Sequence, residues 1–391
     1  MLVETKEKCC GCSGCVNVCP QKCIELRTDD EGFKYPIIDK ESCIACGACE
    51  AVCPFLRTTP LRKSSPKTFG AKATDDKIRA QSSSGGIFSL FANYVLEKNG
   101  VVYGAALADD CKGVKHIRVT KSCDLARLRG SKYLQSDVTD CFLLVRRDLQ
   151  EGKLVLFSGV PCQINGLKLL LKKDYENLIT TEVICHGVMS PSVWKAYVNS
   201  LEGKYGSHIV NVNFREKKRG WADFGLEINA GKIKQFKSHQ EDPYLRLFLK
   251  DCCLRPSCYN CVPKKLESMA DITIGDFWGV ASQVPELADN LGTSLVLIQT
   301  EKGQKMYDYL LQSHELVSIQ VPFENAIKEN PQYCKSVLHP SSRDSFFLDF
   351  NNYGFTYIQK KYGSISFKEK LKIMVKKTRV KMHEGTFVKT S

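Results

Sequence analysis

The sequence predicts an α+β chain of two unequal parts, a small cysteine-rich domain followed by a larger mixed α/β domain. Three observations predict it. Eight of the 20 cysteines form two copies of C-x-x-C-x-x-C-x-x-x-C-P: Cys9, Cys12, Cys15, Cys19 and Pro20, then Cys43, Cys46, Cys49, Cys53 and Pro54. Residues 57–67, RTTPLRKSSPK, are rich in Pro, Ser and Lys and read as a linker. Beyond them, an apolar strand, a helix and a second apolar strand follow one another between Leu154 and Ile184, the order of a parallel crossover.

The boundaries expected from these signals are 1–56 for the small domain, 57–67 for the linker, 68–330 for the larger domain and 331–391 for a C-terminal extension. Inside the small domain, Cys23–Leu26 and Tyr35–Ile38 read as short strands around a turn at Asp29–Gly32. In the larger domain, Ser82-Ser83-Ser84-Gly85-Gly86 leads into a helix over Ile87–Glu97. Asn99-Gly100 then turns into a strand over Val101–Leu107. A helix over 138–150 leads to the strand Leu154–Phe157. Next come the tight turn Ser158-Gly159-Val160-Pro161-Cys162, a helix over Gln163–Lys172 and a strand over Ile179–Ile184. Later strands are Val210–Phe214, Leu226–Ile228, Asp271–Ile274 and Ser294–Gln299, followed by a helix over Gln304–Gln312.

The doubled cysteine pattern is the signature of a bacterial-type ferredoxin with two [4Fe–4S] clusters. Each tight loop supplies three thiolates, and the fourth cysteine of each run reaches across to the other cluster. Cys9, Cys12, Cys15 and Cys53 are thus expected on one cluster, and Cys43, Cys46, Cys49 and Cys19 on the other. A zinc site needs no third cysteine in the same loop. The formal net charge of +13 is partly a counter-charge, because each oxidised cubane with its thiolates carries about −2. No nucleic-acid motif accompanies the basic balance. The start MLVETKEKCC has no apolar signal region, and no apolar run reaches the length of a membrane span. A reducing cytoplasm is therefore expected.

A second cysteine group lies in the larger domain. Cys258 and Cys261 form C-x-x-C, Cys162 opens a helix, and Cys185 follows a strand. Loops after parallel strands gather at one sheet edge, so these four are candidates for a third cubane, with Cys252 and Cys253 as competing ligands. Buried structural cysteines, or a Cys162/His186 nucleophilic pair, remain open on spacing alone. The Ser82–Gly86 run is a candidate anion cradle ahead of its helix, with an ordinary N-cap as the plainer reading. Gly130-Ser131-Lys132-Tyr133 and the stretch Phe214–Trp221 combine cations with aromatics, suited to phosphate and a flat ring or simply to solvated loops. There is no G-x-G-x-x-G after a strand, no P-loop, and no kinase set around Asp276-Phe277-Trp278-Gly279. Phe367, Leu371 and Val375, set among lysines 368, 370, 372, 376 and 377, suit either a solvated terminal helix or a peripheral helix on an anionic membrane surface.

Taken in order, these segments resemble the coenzyme F-420 hydrogenase/dehydrogenase beta-subunit family, including its bacterial relatives. The stretches are Ser82–Phe88, Gly130–Tyr133, Phe157–Gln163, Cys185-His186-Gly187, Arg255–Cys261 and Ala270–Gly279. The 7-hydroxymethyl chlorophyll reductases look like cousins. The resemblance implies a mixed α/β flavin-binding domain, FAD near Ser83, Gly85, Gly86, Lys132 and Tyr133, and a third cluster on Cys162, Cys185, Cys258 and Cys261. It also implies a deazaflavin or similar small-molecule acceptor or donor at the flavin. Lys132, Arg215 and Asp276 are the candidates for catalytic contacts. The expectation is an iron–sulfur flavoprotein oxidoreductase of bacterial origin, exchanging electrons with ferredoxin or a partner redox subunit. The alternative is a non-catalytic electron-transfer subunit that wires a separate enzyme; a transferase with a vestigial cluster domain is a third reading.

Overall fold

The structure is a computed structural model and describes residues 5–56, 65–265, 268–365 and 369. Most of the expected linker and the basic tail, including Phe367, Leu371, Val375 and their lysines, lie outside the described residues.

The small domain is built on a hairpin, β1 (Ile24–Thr28) and β2 (Lys34–Ile38), paired antiparallel with Ile24 opposite Ile38. Its turn is held by Asp29, whose Oδ1 accepts from the backbone N–H groups of Glu31 and Phe33 at 3.2 and 2.8 Å. Short helices at Gly14–Val18 and Ala48–Ala51 follow the two cysteine loops.

The larger part contains an eight-stranded sheet. Its strands in chain order are β3 (Lys67–Ala73), β4 (Val101–Leu107), β5 (Val114–Val119), β6 (Val155–Gly159) and β7 (Leu178–Val183). After a separate three-stranded sheet of β8 (Ile209–Glu216), β9 (Gly225–Ala230) and β10 (Ile233–Ser238), the first sheet resumes with β11 (Ile272–Asp276), β12 (Ser294–Ile298) and β13 (Leu316–Gln320). The spatial order is β13-β3-β12-β11-β7-β6-β4-β5. The four central strands, β4, β6, β7 and β11, run parallel, and antiparallel strands flank them. The crossover expected between Leu154 and Ile184 is the β6–helix–β7 unit.

One face of this sheet is covered by helices Ile87–Glu97 and Glu301–Gln312, the other by helices Cys141–Gln150 and Pro161–Leu171. That double cover explains why β6 reads as an unbroken apolar run, and β12 does so because its second face packs on Val280, Val284 and Ala326. A further core joins the three-stranded sheet to helices Pro191–Tyr205, Pro243–Leu249 and Arg343–Lys361, and to Phe33 and Tyr35 of the small domain. Several elements here carry little signal in the sequence. β10 (IKQFKS) is half-exposed and polar, β13 is a short edge strand, and helix Arg343–Lys361 is interrupted at Gly354 (φ 72°).

The small domain is clamped to the rest of the chain. Asn17 Nδ2 donates to the carbonyl of Thr139 (2.8 Å), Gln135 Nε2 to that of Cys10 (3.1 Å), and Ser190 Oγ to that of Glu31 (2.5 Å). Arg343, from the C-terminal helix, grips the Glu31 carboxylate through both terminal nitrogens at 2.9 and 2.5 Å, with both side chains largely buried. Removing one partner leaves a buried charge alone, so Arg343→Met is expected to destabilise the fold by about 3–5 kcal/mol. A thermal or urea melt checks this, and a change within about 0.5 kcal/mol shows that the pair contributes little.

Candidate functional site

The carboxyl ends of β6, β7 and β11 lie side by side at one edge of the sheet, and each leads directly into candidate chemistry. After β6 the chain turns at Val160 into a helix that places Cys162 in its first turn; Gln163 reaches back to the Val160 N–H at 3.1 Å. Past β7 come Ile184 and Cys185. β11 ends on Asp276.

Cys162, Cys185, Cys258 and Cys261 line one cavity, together with Cys10, His186, Arg255 and Lys264. Cys258 and Cys261 arrive there on the short 3-10 turn Pro256–Asn260. Burial pushes the Cys261 thiol up to about 12, and Cys258 and Cys185 nearby add to the effect. Burial likewise pushes Cys185 up to about 11. Four crowded, partly buried thiols resist ionising together unless a cationic core joins them. Cys252 and Cys253, the competing ligands, are buried in the aromatic core instead, each sulfur 3.8 Å from the carbonyl of Leu247. His186 is engaged by Asp251 at 2.5 Å through Nε2.

In the small domain Cys15 is pushed up to about 12, first by burial and then by the nearby Cys9 and Cys53. Cys53 is pushed up to about 11 by burial, with Cys10 and Cys9 beside it. The fourth cysteine of the second run thus sits with the first loop. Cys19 lies 3.4 Å from Cys23, and Cys23 in turn contacts Cys43. Cys43 and Cys46 are exposed. Among the described residues, no three His, Cys, Asp or Glu side chains converge closely enough to hold a single metal ion. A cubane instead asks for sulfurs spread around a body of four irons.

The two cysteine regions touch. The buried Cys10 thiol is in hydrogen-bonding contact with the sulfurs of both Cys12 and Cys162. One turn along the same helix, Gly166 faces Cys12: a Cβ there would stand 2.8 Å from Cys12 Cβ and 2.9 Å from its sulfur. Cys10, Gly166 and Lys264 are not singled out in the sequence, and Arg255 enters there only as the first residue of the stretch Arg255–Cys261. A doubled Cys9-Cys10 beside a ligand loop is the one signal that points to any of them.

The candidate flavin contacts gather around β8 and β11. Arg215 is buried; its Nη2 donates to Asp276 Oδ2 at 2.7 Å and to the carbonyl of Ser83 at 3.3 Å, and its Nε is buried with no hydrogen-bond partner among the described residues. Its guanidinium lies 3.8 Å from the Phe224 ring centre. Trp221 stacks on Trp278 at 4.7 Å and donates to Asp276 Oδ1 at 3.1 Å. Ser83 Oγ accepts from the Ser131 N–H at 2.8 Å. Tyr133 stacks on Phe248 at 4.6 Å, and Phe248 packs on His186 at 4.9 Å. An unbroken line of rings therefore runs from Tyr133 to the residue after Cys185.

Two expected contacts are occupied within the protein. The three donors of Lys132 Nζ go to the carbonyls of Arg127, Leu128 and Arg129 at 3.2, 3.0 and 2.9 Å, and burial lowers its pKa to about 7. The Gly85 N–H donates to Ser294 Oγ at 3.0 Å, and a Cβ on Gly85 would meet the Ala71 carbonyl at 2.5 Å. Gly85 is thus required by close packing against β3 and β12, and Gly86 by its positive φ of 89°.

Comparison with known proteins agrees with this architecture. Residues 8–56 match a 4Fe-4S dicluster domain. Residues 68–142 match the N-terminal part, and residues 152–322 the C-terminal part, of the coenzyme F420 hydrogenase/dehydrogenase beta subunit. A curated relative, the coenzyme F420-dependent sulfite reductase of Methanocaldococcus jannaschii, is 26% identical over 310 residues. The match takes in 76% of this chain and 45% of that protein, so the chain spans under half of its relative's length. A solved structure, the F420-reducing [NiFe] hydrogenase complex of Methanosarcina barkeri, overlaps 76% of this chain and 93% of the matched chain, with a TM-score of 0.48 and 17% identity. The organism of the curated relative is an archaeon, so that match does not support the expectation of a bacterial source. The two beta-subunit matches together take in well over half the sequence, and they follow the iron–sulfur domain in the expected order. The chain belongs to the coenzyme F420 hydrogenase/dehydrogenase beta-subunit family.

Proposed function

We propose that this protein is an iron–sulfur flavoprotein oxidoreductase of the reducing cytoplasm, which carries single electrons through three [4Fe–4S] clusters to FAD. The observation that carries the reading is the cavity at the sheet edge, where Cys162, Cys185, Cys258 and Cys261 meet beside Cys10 of the small domain. Cys9, Cys12, Cys15 and Cys53 would hold the cluster nearest that cavity. Cys43, Cys46, Cys49 and Cys19 would hold the outer one, whose exposed Cys43 and Cys46 give an external ferredoxin or a partner redox subunit access.

The flavin would lie where Ser83, Tyr133, Arg215 and Asp276 converge. The buried Nε of Arg215, which has no hydrogen-bond partner among the described residues, and the neighbouring aromatics suit an anionic, planar ligand. A flavin supplies the change from one-electron to hydride chemistry. The protein's own share is to hold Arg215 and Asp276 as a buried pair and to seal the path from Cys185 to Tyr133 with His186 and Phe248. A deazaflavin is the first acceptor or donor to try.

The test is iron and flavin per chain after anaerobic purification. About twelve irons and one FAD are expected for three cubanes and a flavin. About eight irons and no flavin would sink the reading. A fully loaded protein that exchanges electrons with ferredoxin but with no free acceptor would be the wiring subunit instead.

A further inference from the structure

Arg255 is fully buried, yet among the described residues no carboxylate pairs with it. Its Nε donates to the carbonyl of Cys9 at 2.6 Å and its Nη1 to Gln135 Oε1 at 2.9 Å. Its Nη2 donates to the carbonyl of Lys34 at 2.9 Å and reaches Cys9 Sγ at 3.5 Å. The Tyr35 ring covers the guanidinium at 4.3 Å. The chain makes room for it: Gly11 has φ +69°, and a Cβ there would stand 2.9 Å from Arg255 Nη1.

All these partners are formally neutral when the thiol is protonated. A guanidinium keeps its charge at any physiological pH, and a buried charge without a counter-charge is strongly disfavoured. Arg255 stands between two groups of cysteines. Arg255 touches Cys9 of the first loop, lines the cavity of the other cysteines, and precedes Cys258 by three residues. Two anionic cluster sites would flank one cation.

We propose that Arg255 is a fixed positive charge between two iron–sulfur sites, raising the reduction potential of the cluster bound through Cys9 and easing electron transfer between it and the cluster bound through Cys258. The inference rests on the cluster reading above. Reduction adds one negative charge to a cubane, so a nearby cation favours the reduced form, and the dry surroundings strengthen the effect. An N–H···S bond to a ligand sulfur acts in the same direction. In the transfer itself one cluster loses an electron and the other gains it. No bond forms or breaks, and the guanidinium gives up no proton. The electron originates from a reduced low-potential iron–sulfur donor.

The test uses the full chain, loaded anaerobically, with iron counted and cluster potentials read by electron paramagnetic resonance during a mediated redox titration. Arg255→Gln removes the charge, and Arg255→Lys keeps it. The glutamine variant is expected to weaken reduction of one N-terminal cluster at least tenfold, about 59 mV for one electron. The lysine variant is expected to shift it less, and the outer N-terminal cluster serves as internal reference. Loss of iron from the glutamine variant alone, with the lysine variant loaded near the wild-type potential, also supports the charge. Unchanged potentials at full iron content would overturn the proposal. So would equal loss of iron from both variants, which marks a structural clamp. A wild-type count of about eight irons is a different failure. It removes the Cys258 cluster and the transfer half of the proposal, while the shift at the Cys9 cluster stays measurable.

Discussion

Replacing Cys258 with serine is expected to remove one cluster, lowering iron from about twelve to about eight per chain, while the fold persists. Cys258 stands on a short turn whose geometry is set independently of any cluster. The Arg255 N–H donates to the Val188 carbonyl at 3.0 Å, the Cys258 N–H to the Arg255 carbonyl at 2.9 Å, and the Val188 N–H to Cys258 Sγ at 3.5 Å. A serine fits this space, but its alkoxide is a poor match for iron beside three soft thiolates. Losing a residue that merely orients a metal ligand costs about 10–100-fold, so loss of the ligand itself is expected to cost more than about 100-fold in flavin reduction by ferredoxin. Cys252→Ser is the control. That thiol faces the core, so the variant keeps its iron and loses only stability. Equal iron in wild type and Cys258→Ser would refute the four-cysteine site.

Gly166→Ala tests the contact between the two cysteine regions, and its sign separates local from tertiary effects. In the middle of helix Pro161–Leu171, alanine is favoured over glycine by up to about 1 kcal/mol. Here the added Cβ meets Cys12 Cβ and Sγ at 2.8 and 2.9 Å. Cys12 Cβ moves only with its backbone, and turning the buried Sγ aside would not relieve that contact. Overpacking of this kind costs about 1–3 kcal/mol. The variant is therefore expected to melt lower than wild type and to lose about four irons, those of the cluster bound through Cys12. A raised melting temperature with full iron would show that the small domain does not rest on this helix.

Much of this protein is legible in its sequence. The cysteine runs announce their cluster chemistry because ligand spacing is a local property of a tight loop. The helix Ile87–Glu97 and the strand Val101–Leu107 lie where periodicity and Asn99-Gly100 put them. Cys162 and Cys185 belong near each other because parallel strands deliver their following loops to one edge. β10, β13 and helix Arg343–Lys361 carry no comparable signal, for a common reason. Each is short, half-exposed or interrupted; β10 is only the outer arm of a hairpin with β9, β13 pairs with the distant β3, and Arg343 is held by the distant Glu31.

By itself the sequence determined the two-domain order, the family, the cluster-type N-terminus and the cysteines able to form a further site. It did so because those features depend on spacing within a few residues or on strand–helix–strand order. Only the tertiary structure decided which cysteines meet. It set Cys252 and Cys253 aside in the core, brought Cys10 against Cys162, and turned the Lys132 and Gly85 donors toward the protein's own acceptors. It also decided that Gly166 and Arg255 matter. A close approach and a buried charge are properties of what stands opposite a residue. Opposite Gly166 stands Cys12 and opposite Arg255 stands Cys9, each from a domain far away in the chain, so no local pattern could announce either contact.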